Sequence, residues 1–213
     1  MVYDDFGKAK KRFFEVAIEL FARYGFENVS LSDIADALGK NKSGMYNHFN
    51  AKQDILDCAY TFFKDHFFDK RKPIEAFKPL IQHGSLIDII SAICFPFPPE
   101  HYTLLMGVFR IVHQRKYFDD SAEKIFKEVV TDECIAYVTD VLDFTIAKKR
   151  TAPFDTANFA MMINYTRLGT YTRWILEPSP ERCAELLEEE KKIFINALSY
   201  VEDLRKSNID GNM

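Results

Sequence analysis

The stretch Ser30-Leu-Ser-Asp-Ile-Ala-Asp-Ala-Leu-Gly-Lys-Asn-Lys-Ser-Gly-Met-Tyr-Asn-His-Phe49 decides the fold of this chain. It reads as two short helices joined by a tight turn. Ser30 with Asp33 three residues on is a helix-start signature, because each side chain can satisfy an orphan N–H of the first turn. Leu31, Ile34, Ala35 and Leu38 then fall on one helical face. Gly39 follows the last apolar residue, where a left-handed cap is cheap only for glycine. Asn41 can cap a second helix running through Lys42, Ser43, Gly44, Met45 and Tyr46 to His48. Two helices around a glycine turn make a helix-turn-helix. The second helix would present Lys42, Ser43, Gly44, Tyr46, Asn47 and His48 outward, with Met45 and Phe49 inward. A cation, small residues, and hydroxyl and amide groups suit a DNA groove.

Ile34-Ala35, Leu38-Gly39, Met45-Tyr46-Asn47-His48-Phe49 and Lys52 resemble the DNA-binding domain of the tetracycline-repressor-like (TetR) family of transcriptional regulators. The resemblance covers roughly the first quarter of the chain, including an upstream helix with Leu20-Phe21 and Gly25. It implies an all-α fold: a three-helix helix-turn-helix head over residues 1–50, then a helical effector-binding and dimerisation body over 51–213. The candidate DNA-binding residues are Ser30, Lys40, Asn41, Lys42, Ser43, Gly44, Tyr46, Asn47, His48 and Lys52, with Tyr46 an aromatic phosphate contact by the family pattern. Lys40 departs from that pattern, which usually has an apolar residue after the turn glycine. It either lays its stem on the small core or adds a phosphate contact.

The 213 residues allow one large domain or two small ones. With 20 Phe and 10 Tyr there is material for a large core or an aromatic cavity. The formal net charge of -4 does not announce a nucleic-acid binder. A slight excess of cations in residues 1–52 over an acidic remainder agrees with DNA contact at one end only. Cys58, Cys94, Cys134 and Cys183 form no C-x-x-C pair, and no signal peptide is recognisable, so reduced thiols in a cytoplasmic protein are expected. The longest apolar run, Leu86 to Phe97, is broken by Asp88 and ends in prolines, so no membrane partner is expected.

The first helix is expected from Phe6 to Tyr24, with Ala9, Phe13, Ala17, Leu20 and Tyr24 on one stripe. Lys8, Lys10, Lys11 and Arg12 at its start form either a solvated face or phosphate contacts. Asn50-Ala-Lys-Gln53 opens a helix running to Lys72. Further helices are expected over Ile74 to Gln82 (interrupted at Pro79), Leu86 to Phe95, Glu100 to Tyr117, Asp120 to Lys149, Asp155 to Leu176 and Pro180 to Lys206. The tail from Ser207 is expected to fray. In the last helix Leu187, Phe194, Leu198 and Val201 make a stripe, and Gly169 in the preceding one would let another helix approach. That stripe either packs on its own body or dimerises the chain. The resembling family pairs its last two helices with those of a second subunit, and two recognition helices need such a homodimer.

No catalytic constellation is present. His48, His66, His83, His101 and His113 lack metal-ligand spacing such as H-E-x-x-H, and there is no nucleophile elbow or phosphate-cradling glycine loop. Neither metal nor cofactor is expected. Phe95, Phe97, Tyr102, Met106, Phe109, His113, Met161, Met162, Tyr165 and Trp174 are the candidates to line an effector cavity, although an aromatic residue at helical spacing is ordinarily core. The ligand would be mostly hydrophobic, oriented by His113, Tyr165 or Tyr102. The sequence thus points to a DNA-binding transcriptional regulator, a repressor released from double-stranded operator DNA by a small effector. An effector-independent or protein-regulated DNA binder of the same fold is the alternative. A helical enzyme or carrier is a third class, for which no chemistry-bearing residues are found.

Overall fold

A computed structural model describes residues 3–40, 48–67, 73–94, 102–148, 153–176 and 179–210. Among them every regular element is helical. A 3-10 turn at Tyr3–Asp5 precedes α1 (Lys8–Tyr24), α2 (Leu31–Ala37) and α3 (Lys52–Phe67). A 3-10 turn at Ile74–Phe77 leads into α4 (Lys78–His83) and α5 (Leu86–Cys94). Then come α6 (Tyr102–Arg115), α7 (Asp120–Lys124) and a π-wound segment Ile125–Asp132. The chain continues through α8 (Glu133–Ala147), α9 (Thr156–Leu176) and α10 (Pro180–Asp210). Packing divides it into two compact units, Met1–Arg71 with Phe97–Asp132 and Lys72–Pro96 with Glu133–Met213. The head read over residues 1–50 therefore shares its unit with α3, α6 and α7.

In the first unit α1 buries Phe13, Phe14, Ala17, Ile18 and Phe21. It ends where Gly25, at φ 86, donates its N–H to Phe21 O. Two ends of the expected stripe, Ala9 and Tyr24, are exposed instead. The helix also starts two residues later than read. Phe6 closes a turn on Tyr3, and both rings fold back inside: Tyr3 lies 4.9 Å from Phe62, and Phe6 lies 5.9 Å from Phe14. Once these rings fill that end of the core, Ala9 has nothing left to pack against. The same turn brings the Asp4 carboxylate to 3.4 Å from Nε2 of the buried His66.

Helix α6 crosses α1 at Gly107, where an added Cβ would stand 2.8 Å from Ile18 Cγ2. Glycine in a helix interior costs about 1 kcal/mol against alanine. Here that cost allows the close approach. Gly107→Ala is expected to lower stability by about 1–2 kcal/mol despite its better propensity, since overpacking a β-branched neighbour outweighs it. A urea midpoint at or above that of the wild type would contradict this packing.

Helix α3 is capped by Asp54, whose carboxylate accepts from the N–H groups of Asn50 and Ala51 at 2.9 and 3.1 Å. The single helix expected from Asp120 to Lys149 is not uniform. From Ile125 its winding widens to π, which turns Ile125, Val129 and Val130 inward together and lets Thr131 Oγ1 donate to Phe126 O five residues back.

In the second unit Phe77, Ile81, Ile89, Ile90, Val138, Val141, Leu142, Ala160, Ile163 and Phe194 form one core. Pro79 does not interrupt a helix. It sits in the first turn of α4, where its missing N–H is not needed. Ser85 and Asp88 cap α5 reciprocally, at 2.8 and 3.2 Å. Helix α10 runs to Asp210 and so takes in residues expected to fray. Phe194 corrects the reading of its stripe: at 3% exposure it belongs to the core of its own chain and cannot face a second subunit.

Candidate nucleic-acid interface

Helix α2 is fixed at both ends by its own sequence. Ser30 Oγ accepts from the Asp33 N–H at 3.2 Å, and Asp33 Oδ2 accepts from the Ser30 N–H and hydroxyl, each at 2.7 Å. Those hydrogen bonds hold the Asp33 carboxyl below the usual carboxylate range. At the other end Gly39, at φ 62, donates its N–H to Asp36 O at 3.0 Å, while Lys40 N–H reaches Ala35 O at 2.9 Å. This is the paired closure of a Schellman motif. It sets the direction in which the chain leaves α2. Lys40 itself is exposed. Gly39→Val is expected to cost about 1–2 kcal/mol, the penalty of a β-carbon in the left-handed region. The check is a lowered urea midpoint at unchanged slope.

Asn41, Lys42, Ser43, Gly44, Tyr46 and Asn47 lie outside the described residues. Past them His48 is half-buried, its ring 5.2 Å from Phe13, and Phe49 is buried with its ring 6.0 Å from Phe6. His48 and Phe49 are thereby held against Phe13 of α1 and Phe6 just before it. Lys52 turns inward: its Nζ donates to Phe26 O at 2.7 Å and stands 4.3 Å over the Phe26 ring. Among the cations at the start of α1, Lys10 lies 4.4 Å over Phe6 and 4.8 Å over Phe49, and Lys11 lies 4.8 Å over Tyr3. Arg12 pairs loosely with Glu15 at 3.7 Å, and Lys8 is exposed.

The loop between α1 and α2 is held from a place the sequence does not reveal. Arg115, at the end of α6, pairs with Glu27 at 2.7 Å and with Asp119 at 2.9 Å, its guanidinium 4.6 Å over the Phe26 ring. Tyr60 donates to Asp119 at 3.1 Å, and Asp119 caps α7 by accepting from the Ala122 N–H at 3.0 Å. Burial pushes the Asp119 carboxyl up, but Ala122, Arg115 and Tyr60 together hold it below its ordinary 3.8. Asp119 therefore stabilises the fold above that ordinary value, and its contribution is lost as pH falls through and below it. Asp119→Asn should flatten this part of the acid limb of urea midpoint against pH. An identical acid limb would show that Asp119 plays no part in it.

The effector candidates divide between the units. In the first, Met106 is buried and Phe109 is fully enclosed, with Phe63, Phe67 and Phe126 ring centroids at 6.1, 6.4 and 6.5 Å. His113 stands 6.1 Å from Phe109, and burial, with Lys116 nearby, pushes its pKa down. In the second, Met162 and Tyr165 are exposed, Met161 is half-buried, and Trp174 is buried with Nε1 donating to Ser179 O at 3.0 Å. Phe95, Phe97 and the Tyr102 side chain lie outside the described residues. A cleft of about 540 Å³ in the second unit, lined by Phe77, Pro79, Leu80, His83 and Ala92 among others, takes none of the candidates. Of the dimerisation candidates, Gly169 is exposed, with nothing within 4 Å of an added Cβ, and Leu187 is half-buried. The Leu198 and Val201 side chains lie outside the described residues. Among the described residues the large apolar side chains exposed here are Met162, Tyr165 and Leu176 on α9, on the stripe of Gly169, and Ile193 on α10. No metal-binding group of His, Cys, Asp and Glu occurs among the described residues. None of their helices is long and apolar enough to cross a membrane.

A helix α2 capped at both ends, a left-handed glycine turn, and His48 and Phe49 packed against Phe13 and Phe6 frame the stretch read as a helix-turn-helix, in a chain whose described regular elements are all helical. The sequence model of bacterial regulatory proteins of the tetR family matches residues 13–58. Over 75 residues the chain is 35% identical to the HTH-type transcriptional repressor KstR2 of Rhodococcus jostii (strain RHA1), a match covering 34% of this chain and 37% of the relative. The chain thus spans little more than a third of that relative's length in the match. The fold extends further. The structure of the ketosteroid transcriptional regulator KstR2 of Mycobacterium tuberculosis superposes with TM-score 0.58 at 16% identity, covering 92% of this chain and 95% of that one. The fatty acid degradation regulator FadR from Bacillus halodurans gives TM-score 0.56 at 15% identity, covering 89% and 95%. At these identities the likeness is one of fold.

Proposed function

We propose that the chain is a homodimeric transcriptional repressor of the cytoplasm that binds double-stranded operator DNA and is released by a small, largely hydrophobic effector. The observation that carries the reading is the family-matched stretch whose first helix, α2, is capped at both ends by Ser30–Asp33 and Gly39–Lys40. Lys42, Ser43 and Gly44 approach base edges, while Tyr46 anchors the phosphate backbone beside Asn41, Asn47 and His48. The exposed Lys40 adds a phosphate contact. Lys52 serves by holding the α1–α2 loop. A fluorescence titration of random-sequence duplex across a salt series tests this reading: affinity should fall steeply with salt. Salt-independent binding, or none, would remove it. Tyr46→Phe should weaken random and selected sequences alike by about fivefold, the worth of one hydrogen bond. A change of base preference instead would reverse the assigned roles.

Dimerisation through α9 and α10 is supported by Met162, Tyr165, Leu176 and Ile193, apolar side chains left exposed. Of the structures of like fold, one is a ketosteroid transcriptional regulator and another a fatty acid degradation regulator, which favours an apolar effector here. The rings around Phe109, with His113 at their edge, offer such surroundings. The complete enclosure of Phe109 speaks for the second reading, an effector-independent DNA binder. Release of bound DNA in a screen of steroids and acyl chains separates the two.

A further inference from the structure

We propose that Arg115 and Glu27 form a releasable latch that positions the helix-turn-helix for DNA. Five residues between α1 and α2, Gly25 to Val29, deliver the chain into α2, and only two weak backbone hydrogen bonds brace them from within. Asn28 N–H reaches Gly25 O at 3.2 Å and Val29 N–H reaches Phe26 O at 3.5 Å. Other contacts come from outside the loop: Asn28 Nδ2 donates to Tyr24 O at 2.9 Å, Phe26 lies 5.1 Å from the Phe21 ring, Val29 is buried, and two adjoining residues meet charged side chains from farther along the chain. Phe26 sits between the Lys52 ammonium at 4.3 Å and the Arg115 guanidinium at 4.6 Å, its carbonyl taken by Lys52. Glu27 takes the other side of Arg115 at 2.7 Å.

The two halves of the Arg115 site differ in kind. Toward Asp119 the contacts are sheltered: Nε and Nη2 meet one carboxylate oxygen at 3.0 and 2.9 Å, Tyr60 donates to the same atom, and both ionic side chains are nearly covered. Glu27 is 71% exposed. The sheltered half keeps the guanidinium aimed, and the exposed half is the part that opens. An exposed pair is screened by salt and by the approach of other charges. Opening it frees Glu27 while Arg115, held by Asp119, stays over Phe26, so the loop leading into α2 loses its outermost brace.

The test turns on a sign. Glu27→Gln removes a negative charge from the head, which by charge alone would strengthen binding to any duplex. As a broken latch it should instead weaken binding of the full-length chain to a random-sequence duplex by about threefold, and speed hydrogen exchange of the Asn28 and Val29 amides by about as much. Exchange at Ala122, on the sheltered side, should not change. Arg115→Gln should speed the loop more, and adding Glu27→Gln to it should change nothing further, because both act through one contact. The DNA arm rests on the proposed function, but the exchange arm does not. If the wild type binds no duplex, that function falls and exchange alone decides the latch. Unchanged exchange in Glu27→Gln overturns it, and so does a rise in DNA affinity.

Discussion

Phe194→Glu is expected to leave the second unit unfolded rather than to yield a folded monomer. Phe194 sits among Phe77, Val141, Ile163 and their neighbours, so the substitution removes a ring from a packed core and puts a carboxylate in its place. Truncating a buried Phe costs about 3–5 kcal/mol before any charge is added. Burying an unpaired carboxylate adds several more, or forces its protonation. Together these approach the whole stability of a domain, about 5–15 kcal/mol. Its chain neighbour gives the contrast. Ile193 is exposed, so Ile193→Glu should melt like the wild type yet sediment as a monomer if α9 and α10 form the subunit contact. Circular dichroism melts with sedimentation velocity on both variants decide the matter. A cooperative melt for Phe194→Glu would place that side chain wrongly, and a dimeric Ile193→Glu would take the interface elsewhere.

This pair of neighbours shows where sequence reading stops. A helix that packs on its own chain and on a second copy carries apolar residues on two faces, and spacing does not say which face meets which surface. Leu187 and Phe194 repeat at heptad distance, but the repeat fits an intramolecular core as well as a coiled-coil seam. Local signals were more legible. Ser30, Asp33 and Gly39 act within a few residues of themselves, so their capping roles were visible without any tertiary contact. Contacts across the chain were not. Arg115 meets Glu27 at a separation of 88 residues, and nothing local to either residue announces it. Lys52 looked like a phosphate ligand from its place in a first helical turn, yet the Phe26 ring and carbonyl occupy its ammonium. Nothing local to Gly107 marks it as the point where α6 meets Ile18.

Glu190→Leu should be among the most destabilising single substitutions in α10, and adding Arg167→Met should recover most of the loss. Glu190 and Arg167 face one another between α9 and α10 at 3.6 Å, with the carboxylate 1% and the arginine 8% exposed. Burial pushes the Glu190 carboxyl up, while Arg167 and Thr170 draw it back. Removing the carboxylate alone leaves a guanidinium charge in a low-dielectric interface, a loss of about 3–5 kcal/mol. Removing both charges takes away the attraction and both desolvation penalties, which is commonly neutral or stabilising by about 1–4 kcal/mol. The double-mutant cycle should thus show strong coupling, whereas the exposed pair of Arg173 and Glu189 at 2.6 Å should show hardly any. Urea midpoints for the single, double and wild-type chains provide the cycle. If Glu190→Leu alone matches the wild type, the Arg167 charge has another outlet. If the double variant stays as unstable as the single, the pair contributes packing that leucine and methionine cannot replace.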